Sequence, residues 1–96
     1  MITVRQMIAC LEDALDHPER LAHDVERFQH ALFEAPVREP GHERAWRELE
    51  ELARELAWFA ADERMRREDE KLIGPRRVER RIRAGLARLA EASVAG

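Results

Sequence analysis

The sequence has few of the residues on which covalent crosslinks and nucleophilic catalysis depend. It contains one cysteine, Cys10, one serine, Ser93, one lysine, Lys71, and no tyrosine. A single cysteine excludes an internal disulfide, and we expect Cys10 to be a small buried thiol in a reducing compartment. With four glycines and four prolines in 96 residues, the chain has no glycine-rich phosphate loop and no low-complexity segment. These absences argue against an enzyme.

Long apolar runs are also missing. No stretch approaches the length of a membrane span, and the N-terminal segment lacks the apolar core of a signal peptide. We therefore expect a cytoplasmic protein with no membrane partner. A length of 96 residues is typical of one domain, and we predict a single helical domain over residues 1–96.

Apolar residues recur at helical spacing in four segments. The stripes are Val4, Met7, Ile8, Leu11 and Leu15; Leu21, Val25, Phe28 and Leu32, with Phe33 beside them; Ala45, Trp46, Leu49, Leu52, Ala53, Leu56, Phe59 and Ala60; and Val78, Ile82, Gly85, Leu86 and Leu89. Thr3 predicts the N-cap of the first helix, and Pro18 predicts its end and the first turn of the second helix.

The connections between these helices differ in length. A break at residues 36–41 precedes the third helix, which we predict to be the longest, from about His42 to Ala61. Residues 62–74 form a charged loop, and Pro75 begins the last helix. We predict an all-α fold, an antiparallel four-helix bundle, in which a neighbouring helix passes close to Gly85.

Trp58 is out of phase with the apolar stripe of the third helix. At about 100° per residue, it points roughly 170° away from the centre of that stripe. An indole among charged residues either packs against another part of the protein, such as the loop around Val37, or receives a partner. The sequence leaves both interpretations open.

Carboxylates surround Trp58 along one side of the predicted third helix and in the loop that follows. They are Glu51, Glu55, Asp62, Glu63, Glu68, Asp69 and Glu70. With Trp58 they predict a surface for a basic protein partner, since opposite charge speeds association and a buried tryptophan stabilises a complex by about 2 kcal/mol or more. The alternative is an ordinary solvated face with ion pairs such as Glu50–Arg54.

The histidines do not predict a metal centre. His23, Glu26 and His30 share one face of the second helix, and Glu26 and His30 have a spacing that suits a metal ion. That face is opposite the apolar stripe, whereas metal sites in bundles use inward-facing residues. We therefore expect solvated side chains there, with no metal and no cofactor.

Basic residues concentrate at the end of the chain. Residues 74–96 carry six arginines and two glutamates, whereas residues 10–39 carry eight acidic and three basic residues. The arginines are Arg76, Arg77, Arg80, Arg81, Arg83 and Arg88. They suggest a regulator that binds nucleic acid. A pI near 5.8 and the lack of aromatic residues on that helix disfavour this interpretation, and we expect these arginines to be solvated or paired with the acidic body.

The C-terminal half carries a family resemblance. Glu51-Leu52, the pattern Phe59-x-x-Asp62, the acidic loop and the apolar residues of the last helix resemble the small four-helix immunity proteins of the colicin D type, over roughly residues 48–90. Proteins of that family neutralise a tRNA-cleaving toxin domain by occupying its active site with acidic residues. The resemblance implies such roles for Asp62 and, more loosely, for Glu55 and Glu63.

The sequence therefore predicts a non-catalytic binding module. Its most specific form is an immunity or antitoxin protein that occludes the basic active site of a nuclease toxin. A nucleic-acid-binding regulator is the alternative from another class, and a self-associating structural domain is the third, so homo-oligomerisation stays open.

Overall fold

The computed structural model describes residues 1–60 and 62–95, and all regular secondary structure in these ranges is helical. The helices are α1 (Val4–Asp16), α2 (Leu21–Glu34), α3 (Glu43–Leu56), α4 (Glu63–Glu68) and α5 (Pro75–Ala95), with a short 3₁₀ turn, Pro18–Arg20, between α1 and α2. The predicted all-α class is confirmed. Within these ranges, no helix combines the length and the apolar character needed to cross a bilayer.

Helix α1 begins and ends at the residues that the sequence marks. The Thr3 hydroxyl accepts a hydrogen bond from the Gln6 N–H (3.1 Å), and the Gln6 side chain accepts one from the Thr3 N–H (2.9 Å). This reciprocal capping box satisfies two amides that would otherwise lack partners. The helix ends at Asp16, and Pro18 occupies the first position of the 3₁₀ turn. The two predicted ends of α1 are confirmed, whereas Pro18 begins a separate 3₁₀ turn and α2 starts at Leu21.

Helix α3 is shorter than the sequence predicts. It spans 14 residues, whereas α5 spans 21 and is the longest helix. At its end the Ala57 N–H bonds to the Arg54 carbonyl (3.2 Å), and the Phe59 N–H bonds to the Leu56 carbonyl (3.0 Å). These tighter bonds turn the chain after Leu56. The prediction of a helix reaching Ala61 is therefore wrong, and Ala61 itself lies outside the described residues.

The segment predicted as a charged loop contains its own structure. The Ile73 N–H donates to the Trp58 carbonyl (2.8 Å), and the Ala60 N–H donates to the Ile73 carbonyl (3.0 Å), which forms an isolated parallel bridge. The Arg66 guanidinium donates to the Ala60 carbonyl (2.6 Å) from α4. The prediction of four helices thus omits α4, whose residues are not buried.

The predicted stripes form one core. Helix α1 packs mainly on α2, and α3 packs mainly on α5, while contacts of α1 with α5 and of α2 with α3 join the two pairs. The largest fully buried apolar side chains are Phe28, Leu11, Leu32, Leu49, Leu52, Leu56, Ile82, Leu89 and Val78. Cys10, expected to be buried, is half-buried because it lies at the edge of the α1 stripe.

The close approach predicted at Gly85 is confirmed. A Cβ built on Gly85 would lie 2.7 Å from Cδ2 of Leu52. Only a residue without a side chain therefore lets α5 lie this close to α3 without displacing Leu52.

Candidate partner-binding surface

Trp58 lies in the turn that follows α3, and its indole is 48% exposed. Its carbonyl is tied to the Ile73 amide, which holds the backbone of the turn in place. A large aromatic side chain exposed to this extent on a fixed backbone loses little conformational entropy when a partner covers it. The exposure is therefore compatible with the predicted role as an anchor.

The loop around Val37, which the sequence leaves open as a cover for Trp58, packs on Trp46 instead. Val37 is itself 55% exposed, and the neighbouring Arg38 guanidinium lies 5.2 Å from the ring centroid of Trp46. Trp46 is buried, and its Nε1–H donates to the Glu39 carbonyl (3.1 Å). The loop therefore packs on the core tryptophan, because Trp46 lies at the same end of α3 as the loop.

Three of the predicted binding carboxylates have local partners. The Asp62 side chain accepts from the Arg64 N–H (2.9 Å) and caps α4, so it does not lie along α3 as predicted. Glu63 pairs with Arg67 at 3.1 Å, and the Asp69 carboxylate accepts from the Lys71 N–H (3.0 Å). All three carboxylates nevertheless remain on exposed residues. Each can face a partner while keeping its structural contact.

The other four predicted carboxylates form no ion pair among the described residues. Glu51, Glu68 and Glu70 are exposed, and Glu55 is half-buried. Elsewhere on α3, Glu50 pairs with Arg38 and, at 3.6 Å, with Arg54, so the predicted Glu50–Arg54 pair is confirmed. The unpaired carboxylates are the ones whose full charge is available to a basic partner.

Helix α5 lies directly beside this acidic surface. Glu48 of α3 pairs with Arg88 of α5 at 2.9 Å, and Leu52 lies opposite Gly85. These two contacts show that α3 and α5 run in opposite directions, and their register places Glu55 level with Arg81. The acidic surface is therefore bordered by a basic helix, which the sequence-based prediction does not anticipate because the register depends on tertiary packing.

Residues 57–74, the 57–74 segment, connect α3 to α5. Met65 of α4 lies in this segment and is half-exposed like Trp58. An exposed indole and a flexible thioether are suited to contact an apolar patch on another protein. Carboxylates around such side chains favour a basic rim on that partner. This arrangement of apolar and acidic side chains is suited to contact a basic protein surface.

The histidine face of α2 is solvent-exposed at His23, Glu26 and His30, as predicted. His30 lies 3.0 Å from the Glu34 carboxylate, one turn further along the helix. Among the residues that the structure describes, no three side chains of histidine, cysteine, aspartate or glutamate are grouped closely enough to hold a metal ion.

A groove of about 970 Å³ lies at the other end of the fold, between α1, the start of α3 and the end of α5. Its apolar lining includes Val4, Ile8, Ala9, Ala45, Leu89 and Ala92. Charged groups of both signs surround it, among them Arg5, Glu12, Arg44 and Glu43. This mixed rim favours no single ligand charge, and the sequence analysis gives no indication of the groove because its walls come from three helices.

The sequence analysis also misses Asp24, which is 1% exposed. It follows Leu21 by three residues and precedes Phe28 by four, so helical spacing alone could have placed it within the buried stripe. Within the described part of the chain, neither of its carboxylate oxygens has a hydrogen-bond partner. The closest opposite charge is Nη2 of Arg27 at 3.8 Å, and the same atom lies 3.5 Å from Asp13.

Replacing Asp24 with leucine, which has a similar branched shape, is expected to stabilise the protein. Exchanging a poorly paired buried charge for an apolar group raises the free energy of unfolding by about 1–4 kcal/mol. Loss of the favourable interaction between the carboxylate and the N-terminal dipole of α2 lowers it by about 0.3–1 kcal/mol. Urea denaturation at neutral pH measures the change. Glu26→Leu removes the same charge from the exposed face of α2 and is expected to change stability by less than about 0.5 kcal/mol. A less stable Asp24→Leu protein would show that the carboxylate makes a favourable interaction.

Comparisons with protein families, with curated proteins and with solved structures return no match to this chain.

Proposed function

We propose that this protein is a non-catalytic binding module that captures a basic protein partner on the surface around Trp58. The supporting observation is the half-exposed indole on a turn whose carbonyl is hydrogen-bonded to Ile73. Large exposed aromatic side chains of this kind are the commonest anchors in protein interfaces. In this proposal the four longer helices form an antiparallel four-helix bundle that holds the turn rigid.

The partner that we propose is a nuclease toxin, and the protein acts as its immunity or antitoxin protein in the cytoplasm. Trp58 inserts into an apolar pocket of the toxin, while Glu51 and Glu55 face basic residues that otherwise bind RNA phosphates. The carboxylates of residues 62–70 extend the contact. Inhibition then results from steric and electrostatic occlusion of the active site, with no chemical step. The resemblance of residues 48–90 to colicin D-type immunity proteins supports this choice of partner.

The test uses the polypeptide encoded by the gene next to this one, since an immunity gene normally lies beside its toxin gene. Isothermal titration measures its binding, and a gel assay of RNA cleavage measures its inhibition. We expect a complex and a loss of RNA cleavage at equimolar ratio. A neighbouring product that cleaves RNA equally well with and without this protein would contradict the proposal.

Replacing Trp58 with alanine is expected to weaken that complex at least tenfold, because the indole fills a desolvated pocket at the centre of the interface. The free energy of unfolding is expected to change by less than about 1 kcal/mol, since the side chain is half-exposed in the free protein. Phe33→Ala, which removes an equally exposed aromatic side chain outside the 57–74 segment, serves as the control and should leave binding unchanged. If Trp58→Ala instead unfolds the protein, the indole belongs to the core and the site assignment fails.

A further inference from the structure

Three arginines of α5 form a basic surface recess. It is shallow and open to solvent, and among the described residues it is lined by Arg77, Arg80 and Arg81. They stand three and four residues apart, so one face of the helix presents all three. Arg77 and Arg80 are exposed and Arg81 is half-buried. Their guanidinium groups are therefore accessible together from one side.

Among the residues that the structure describes, no carboxylate pairs with the arginines of this recess. Among the described residues, Arg88 is the one arginine of α5 that pairs with a carboxylate, Glu48 at 2.9 Å. Residues 76–83 carry five arginines and a single acid, Glu79. Of the two expected states, Arg88 is paired with the acidic body, whereas Arg77 and Arg80 are solvent-exposed and Arg81 is half-buried. Like charges on neighbouring positions of one helix repel one another, and a bound anion relieves that repulsion.

We propose that the recess binds phosphate groups of a nucleic acid strand. Guanidinium groups bind phosphate oxygens in pairs, with matching planar geometry. Residues 77–81 extend over about 6 Å of helix, which is long enough for their side chains to reach neighbouring phosphates of one strand. The recess lies on a different helix from the predicted binding carboxylates, Trp58 contributes to both surfaces, and the inference does not depend on a toxin partner.

The position of Trp58 favours a single strand over an isolated phosphate ion. Its carbonyl bonds to the Ile73 amide at 2.8 Å, two residues before α5 begins at Pro75. The half-exposed indole and the arginine recess therefore lie at the same end of the molecule. Exposed aromatic side chains beside basic grooves stack on unpaired bases, which makes strand binding tolerant of sequence. Helix α5 itself carries no aromatic residue. The tertiary fold instead places Trp58, from the turn after α3, at the same end of the molecule as the recess.

Fluorescence anisotropy of the full chain with a labelled single-stranded RNA tests the proposal. With three phosphates neutralised, the logarithm of affinity should fall with the logarithm of salt concentration at a slope of about −2. Affinity should then decrease roughly twentyfold between about 50 mM and about 200 mM salt. Single-stranded DNA of the same length is expected to bind with similar affinity, because the phosphates are shared. No binding at the lower salt concentration overturns the proposal.

The variant that removes the recess is the triple substitution Arg77→Ala, Arg80→Ala and Arg81→Ala. Alanine is a stronger helix former than arginine, so the helix is expected to persist, and circular dichroism verifies this. We expect at least a tenfold loss of RNA affinity together with a salt slope close to zero. Binding of the neighbouring gene product is expected to remain, which separates this inference from the proposed function.

A charge-matched control removes three exposed arginines from other elements. These are Arg5, Arg20 and Arg47, none of which forms an ion pair among the described residues. This control should lower RNA affinity less than about threefold, because it changes only the net charge. Equal losses in both triple variants would show that net charge alone attracts the RNA. Displacement of the RNA by poly-glutamate at the same charge concentration would show that the recess takes an acidic polypeptide. Either result would overturn the proposal.

Discussion

Replacing Phe28 with alanine is expected to lower the free energy of unfolding by about 3–5 kcal/mol, the usual cost of removing a fully buried phenyl ring. Phe28 is 0% exposed and belongs to the cluster that joins α2 to the other helices. A loss of this size is a large fraction of the roughly 5–15 kcal/mol that typically stabilises a small domain. Urea denaturation monitored by circular dichroism measures it, and the midpoint should fall while the slope stays constant.

The same helix provides a matched control for this prediction. Phe33 lies five residues further along α2 and is 54% exposed. Phe33→Ala removes the same atoms without leaving a cavity, and alanine has the higher helix propensity, so we expect a change within about 0.5 kcal/mol. If Phe28→Ala and Phe33→Ala destabilise the protein equally, Phe28 is not enclosed by the core.

Introducing valine at Gly85 is expected to destabilise the protein by about 2–3 kcal/mol, because extra methyl groups overpack the contact between α5 and α3. The Cβ alone would lie 2.7 Å from Cδ2 and 3.2 Å from Cδ1 of Leu52. Leu52 is itself fully buried, so it cannot move aside without displacing other core residues. Thermal and urea denaturation both measure the loss.

Ala84→Val tests whether the effect at Gly85 comes from packing. Ala84 precedes Gly85 on α5 and is exposed, so valine there costs only helix propensity, less than about 0.7 kcal/mol. A double variant, Gly85→Val with Leu52→Ala, should be more stable than the sum of the two single losses predicts, since the smaller residue makes room for the larger. Additive losses would indicate that the two side chains do not meet.

The helices that local signals define could be predicted from the sequence. The capping box of Thr3 and Gln6 and the break at Pro18 involve residues within a few positions of each other, and the structure places both boundaries as predicted. The buried stripes of α1, α2, α3 and α5 also agree, because burial follows the 3.6-residue period once a helix forms. Asp24 shows where these two signals conflict. The helical period places Asp24 in the buried stripe, whereas its charge predicts exposure.

The end of α3 could not be predicted from local signals. Ala57, Ala60 and their neighbours are acceptable helix residues, and nothing nearby stops the helix. The chain turns because Trp58 and Ala60 form backbone hydrogen bonds with Ile73, more than ten residues away. The same pairing separates Asp62 from α3 and leaves it as the cap of α4. A long-range contact thus overrides a local preference.

The features of the candidate site also fall into two groups: those that the sequence determines and those that depend on the tertiary structure. Sequence alone determined the all-α class, the core stripes and the segregation of acidic and basic residues, because each depends on composition or on helical period. Only the tertiary structure decided that Trp58 lies in an exposed turn, that Asp62, Glu63 and Asp69 have local partners, and that the one α5 arginine paired with a carboxylate in the described ranges is Arg88. Exposure and charge pairing depend on which elements pack together, and a helical pattern carries no information about its neighbours.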